Sequence, residues 1–420
     1  MKKLTIIFLL PISIVCLYSC NKEGCTDQTA MNYDENADND DGSCIYDEDG
    51  NGNGNGGSGS GGVDTEDPDY NLAGTVSTPT VIEDVYDSDE LFDYYIDGTW
   101  SISGPVEIEP GVRILMKSGA RVRIDSDGSL KAEGTNEKQI HFIGDQDVEG
   151  YWDYILFDAS NNLDNKFNYV TVRNAGASST RPANIYLRNA SRLSLKNSTV
   201  SKSSSNGLEV SSTDGVLFDF ENNHFSENQA DPIKLASWRQ ASEIDYATNF
   251  TDNNGFNRLR VGGGGVIQNT TVNKVNGPFY FDGSANIDAD LTFTEGVTVL
   301  MGPGARFRVT SSGGFISEGT QSERVTIKGY QEVPGYWDYI QFDDSNNPNN
   351  SLSYTDVSHG GASSTRPGNI YLRNSSILNM GNSSSNYSSS NGVDGGTSAT
   401  FNDQGGNSYE GNTLDDNTLN

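Results

Sequence analysis

The chain writes nearly the same fourteen residues twice, GASSTRPANIYLRN at 176–189 and GASSTRPGNIYLRN at 361–374. The same offset of 185 residues joins GYWDYI at 150–155 to its twin at 335–340, AEGT at 132–135 to SEGT at 317–320, and YIDG at 95–98 to YFDG at 280–283. From about residue 95 to 210 the register runs without a gap. A duplication of this length requires an architecture that can be built twice in one chain and still close its core.

Each copy is made of smaller units. Short segments such as VRILM (112–116), ARVRI (120–124), YILFD (154–158), NIYLR (184–188) and GLEV (207–210) carry apolar residues two apart, with Gly, Asn, Asp and Ser between them. That is the pattern of short strands joined by tight turns. The inner pairs Ile155/Phe157, Ile185/Leu187, Leu208/Val210, Ile233/Leu235 and Leu259/Val261 recur every 23 to 30 residues, the length of one solenoid coil. Coils stacked about 4.8 Å apart cover each other's apolar faces, so a thin core suffices. This accounts for a folded chain that is only 34% hydrophobic. A β-sandwich, the competing all-β reading, predicts hairpin turns about every 8–12 residues and gives no reason for the ungapped register. One stretch, DPIKLASWRQASEIDY at 231–246, has a helix-like look but suits a strand followed by a loop.

The stretch GPVEIEPGVRILMKSGARVRIDSDGSLKAEGTNEKQIHFIG at 104–144 resembles the signature of right-handed parallel β-helix repeat proteins, the pectate-lyase-like solenoids. FENNHFSENQADPIKL at 220–235 resembles a later coil of the same group, and in the second copy the PGV of the signature has become Glu295-Gly296-Val297. The resemblance spans roughly 95 to 412. It implies an all-β right-handed parallel β-helix with two related halves, 91–263 and 264–420, the second an incomplete copy. It implies little about activity, because this fold carries lyases, hydrolases, adhesins and spacers alike. The last coils hold few apolar residues, which predicts a polar or frayed C-terminal end.

The first twenty residues, MKKLTIIFLLPISIVCLYSC, place two lysines before an apolar stretch too short to span a membrane comfortably, the order of an export signal. Leu17-Tyr18-Ser19-Cys20 resembles a bacterial lipobox, which implies cleavage before Cys20 and lipid on its thiol. Asn21-Lys22-Glu23 loosely resembles the tag that sends some lipoproteins to the outer cell surface. Cys25 and Cys44 then remain in an exported chain and are expected to pair. Such a bridge would stabilise residues 21–46 by roughly 3 kcal/mol. This acidic segment resembles a Cys-bounded module of bacterial surface proteins. Its alternating oxygens, Asp34, Asn36, Asp38 and Asp40, are candidate calcium ligands. Against calcium, Asn39 stands where an EF-hand loop needs glycine, and no glutamate closes the site. No other cofactor is indicated. Residues 47–90 read as a flexible Gly/Asn/Ser-rich and acidic linker.

A formal net charge of −31 argues against nucleic acid and other phosphate-bearing partners. Catalytic signatures are partial. Asp343-Asp344 and Ser358-His359-Gly360 resemble pieces of the polygalacturonase site, but the first copy has Asp158-Ala159 and Asn174-Ala175 there, and no Arg-x-Lys follows. Asp153 with Arg181, and Asp338 with Arg366, offer acid and base for a polysaccharide lyase, although arginine serves as a base only with special help. The strand alternation puts Tyr154, Tyr186 and Arg188 on an outer face near Trp152, Asp153 and Arg181. The second copy repeats the set as Trp337, Asp338, Tyr339, Arg366, Tyr371 and Arg373. Aromatic rings flanked by Arg and Asp suit a sugar or a peptide side chain. The alternative is structural: tryptophans plugging a corner and Arg181 paired with Asp153. The expectation is a lipid-anchored protein of the outer membrane or cell surface, with a non-catalytic rod for adhesion or for binding polysaccharide or a surface protein. A polysaccharide lyase or glycoside hydrolase is the rival.

Overall fold

A computed structural model describes residues 70–88 and 90–419, with Glu23, Gly24, Thr26, Gln28, Ala37, Asn39 and Asp40. Cys20, Cys25, Cys44, Asp34, Asn36, Asp38 and residues 47–69 of the linker lie outside the described residues. Two compact units are distinguished, Met1–Asp64 and Thr65–Asn420. In the first, Asn39–Asp40 pairs in parallel with Glu23–Gly24.

The second unit is a parallel β-solenoid, and almost all its regular structure is strand. One sheet of thirteen strands runs from Gly74–Val76 to Ser384–Asn386. At about 4.8 Å per coil its strands span about 60 Å. The inner pairs stack as the spacing predicts: Ile155 sits over Ile185, Ile185 over Leu208, Leu208 over Ile233 and Ile233 over Leu259. All are fully buried. The solenoid also begins earlier than residue 91. Gly74–Val76 and Thr80–Ile82, in the stretch read as linker, pair with Thr99–Ile102 and Pro105–Ile108. Ile82 supplies a buried side chain there, so even an acidic segment adds a coil when one residue can reach the core.

Two shorter sheets complete each coil, and they change at the middle of the chain. In the first half, six strands (Thr80–Ile82 to Val216–Glu221) and seven strands (Tyr94–Ile96 to Asn249–Asp252) flank the long sheet. In the second half, five strands (Ser284–Ile287 to Asn391–Gly395) and six (Thr270–Val272 to Thr400–Asp403) take over. At the junction the chain forms not a loop but a four-residue helix, Trp238–Ala241, where a strand would otherwise stand. Gln240 anchors it: its side-chain oxygen accepts from the Ala236 and Ser237 N–H groups (2.9 and 3.1 Å), and its Nε2 donates to Ser212 and Gly215 carbonyls (2.8 and 2.9 Å).

The junction puts the copies out of phase. Arg113–Met116 belongs to the seven-stranded sheet, whereas its repeat partner Thr298–Met301 belongs to the long sheet. From Arg121–Ile124, one face further on, the long sheet steps through seven pairings to reach Thr298–Met301. The repeat is therefore seven coils and one face. As a result Tyr154–Asp158 and Ala183–Arg188 lie on the long sheet, and their copies Tyr339–Asp343 and Gly368–Arg373 lie on the five-stranded one.

Candidate functional site

The twice-written motif is mostly scaffold. Asn184 is fully buried; its Oδ1 accepts from the Ala175 N–H (2.9 Å) and its Nδ2 donates to the Ser201 carbonyl (2.7 Å). Asn369 repeats this with Gly360 and Asn386 (2.7 and 2.8 Å). Ile185 and Leu187 fill the core. Arg188 forks onto Asp158 through Nε (2.8 Å) and Nη2 (2.6 Å), and Asn189, in left-handed backbone, donates to the same carboxylate (3.0 Å). Arg188 above all holds the Asp158 carboxyl below its usual range. In the second copy the fork onto Asp343 comes from Arg308 (2.9 and 2.6 Å), with Arg373 further off at 3.3 Å.

The rest of the predicted patch is also largely self-satisfied. Trp152 and Trp337 are fully buried and donate their indole N–H to the Arg173 and Ser358 carbonyls (2.7 and 2.8 Å). They plug a corner. Tyr154 and Tyr339 face outward along their strands, yet are only 4% and 5% exposed. The Arg181 guanidinium lies 5.3 Å over the Tyr154 ring and Arg366 lies 5.4 Å over Tyr339. Asp153 pairs with Arg121, and Asp338 with Arg306, both at 3.1 Å, so neither takes the loop arginine as its partner. Burial raises the Asp153 carboxyl against the pull of Arg121 and Arg181. Asp343 and His359, the polygalacturonase-like pieces, sit on different sheets: Asp343 ends Tyr339–Asp343, and His359 follows Thr355–Ser358 on the long sheet. What remains open is Tyr186 and Tyr371. Both are half-buried, and among the described residues their side chains have no hydrogen-bond, ion-pair or ring partner.

A second site escaped the sequence reading. On the outer face of the long sheet a cleft of about 480 Å³ is lined by Glu332, Pro334, Asp356, Ser358, His359, Ser384, Asn386 and Tyr387. His359 and Tyr387 stack with ring centroids 5.6 Å apart and planes 9° apart. Burial lowers the His359 pKa, which favours the neutral ring. The same place in the first copy is a closed ion cluster: Asp147 accepts from Arg173 (2.6 Å), Lys202 (2.7 Å) and Asn174 (3.1 Å). The signal was present in the aligned copies, where Asn174 has become His359 and Lys202 has become Tyr387.

Lys202, then Asn174 and Arg173, lower the Asp147 pKa to about 2 from an ordinary 3.8. A carboxyl depressed on folding stabilises above its unfolded pKa, and that contribution disappears as pH falls through the folded value. Asp147→Asn is therefore expected to flatten the loss of stability between about pH 4 and 2, read as the acid dependence of the urea midpoint.

Among the described residues no three His, Cys, Asp or Glu side chains gather to hold a metal ion. Comparison with protein-family models, curated proteins and solved structures finds no match for this chain.

Proposed function

We propose that this protein is a lipid-anchored, non-catalytic surface rod that binds glycans and so mediates adhesion. The observation that carries the binding half is the state of Tyr186 and Tyr371. In a motif whose Asn, Ile, Leu and first-copy Arg side chains are committed to the fold, these two rings have no hydrogen-bond, ion-pair or ring partner among the described residues. A half-exposed ring beside fixed polar groups offers a sugar both an apolar face and directional hydrogen bonds. The four tryptophans of the chain are all fully buried, which leaves tyrosine as the available platform. The carboxylates Asp153, Asp158, Asp338 and Asp343 are each engaged by arginine, a poor arrangement for paired acid and base work at a glycosidic bond. The anchoring half rests on residues 1–20, and no helix among the described residues is long and apolar enough to cross a membrane.

Retention of the full chain on immobilised polysaccharides tests the reading. Tyr186→Ala and Tyr371→Ala are each expected to weaken retention about 3- to 10-fold. No retention of the wild-type chain, or release of new reducing or unsaturated ends from the matrix, would end it.

A further inference from the structure

The two copies form an internal comparison, and the cleft at His359 and Tyr387 is where it is most informative. The first copy shows what this coil position needs for stability: one carboxylate, Asp147, and three donors that close over it. In the second copy the carboxylate is kept as Glu332, and all three donors are replaced. Arg173 becomes Ser358, Asn174 becomes His359 and Lys202 becomes Tyr387. Glu332 turns instead to Lys328 (2.7 Å), and the surface opens. The backbone gives no reason for the change. Positions 174 and 359 are both left-handed, with φ of 72° and 67°, where asparagine is well suited, and positions 202 and 387 share a φ of 51°.

The replacement set defines the ligand. Two cations have left the wall, and the two that arrive, Lys328 for Ile143 and Arg324 for Gln139, are each paired with a carboxylate of the cleft, which disfavours an anionic occupant. Asp356, where the first copy has Thr171, adds a second carboxylate, held by Arg324 Nε and Nη2 (2.7 and 2.8 Å) and by the Ser384 hydroxyl (2.7 Å). Burial favours the neutral form of His359, and its Nδ1 is buried without a hydrogen-bond partner. Tyr387 remains 45% exposed despite the stack. Fixed acceptors, two flat rings and a volume within the range of small-molecule sites suit a ligand rich in hydroxyl donors on an apolar ring. We propose that this cleft binds a residue of a neutral saccharide, and that the second copy gained it by losing the first copy's ion cluster. The inference rests on the glycan-binding reading but assigns a site separate from Tyr186 and Tyr371.

The test restores the first copy's residues. In the double variant His359→Asn with Tyr387→Lys, the new lysine has Glu332 to close upon, as Lys202 has Asp147, and both residues are already accommodated at this coil position. The full-length variant and wild type are titrated with soluble forms of a mannan, a xylan and a β-glucan, with polygalacturonate as the anionic control. The wild type is expected to bind at least one neutral polymer and not polygalacturonate, and the double variant to bind it at least tenfold more weakly at an unchanged unfolding temperature. Should the double variant fold poorly, Glu332→Gln at an exposed position is expected to weaken binding about threefold. A wild type that binds a neutral glycan, with both variants unchanged, overturns the cleft and leaves the rod's glycan binding standing. A preference for polygalacturonate overturns the neutral-saccharide assignment. A wild type that binds none of the four removes both readings.

Discussion

Trp238→Ala is expected to cost about 3–5 kcal/mol and to split unfolding of the solenoid into two resolvable steps. Trp238 is fully buried at the junction, and its ring centroid lies 5.1 to 5.8 Å from Phe279, Phe281, Phe293 and Phe307. These rings belong to the first coils of the second half, while Trp238 follows directly on Ile233–Ser237 of the first. In a stacked-repeat protein cooperativity is carried by interfaces between neighbouring coils. Here both flanking sheets change over and only the long sheet continues. The indole therefore supplies much of the remaining contact between halves. Its N–H has no hydrogen-bond partner among the described residues, so Trp238→Phe loses volume and no bond, and should cost clearly less. Urea unfolding followed by far-ultraviolet circular dichroism reads the outcome. A single transition shifted by under 1 kcal/mol in the alanine variant would show that the long sheet alone couples the halves.

The core was legible because alternation is local. Each of Ile155, Phe157, Ile185 and Leu187 announces its side of the strand through its neighbours, and the coil length fixes what it stacks on. The phase of the copies was not legible. An offset of 185 residues says nothing about faces, since coil lengths vary and the junction replaces a strand with Trp238–Ala241. Tyr154 marks a different limit. Alternation placed it outward correctly, but whether an outward ring meets solvent depends on Arg181, which arrives from a loop 27 residues later. The doubled segments are identical where they keep the buried Asn184 and Asn369 and an arginine on Asp158 or Asp343. The cleft lay in the differences between the copies, at 359 and 387.

Those differences also yield the second large effect, in the opposite direction: Gln341→Leu is expected to stabilise the chain by about 1–3 kcal/mol. Gln341 occupies the place of Leu156, and both are fully buried on the outer side of their strands. Leu156 is covered by its neighbours at no polar cost. Gln341 brings an amide into the same position, and neither its Oε1 nor its Nε2 has a hydrogen-bond partner among the described residues. Burying such groups unpaired forfeits their hydration, whereas leucine of similar size needs none. By contrast Ser317 and Thr355, in place of Ala132 and Val170, bond each other at 2.6 Å. Gln341 has no such bond, and it pairs in register with Tyr371, one of the two open rings. Equilibrium urea unfolding of Gln341→Leu, with Leu156→Gln as the reverse exchange, measures the cost in both copies. The predicted pattern is a gain for the first and a loss of similar size for the second. A loss of stability in Gln341→Leu would mean that the amide's burial is compensated and would overturn the prediction.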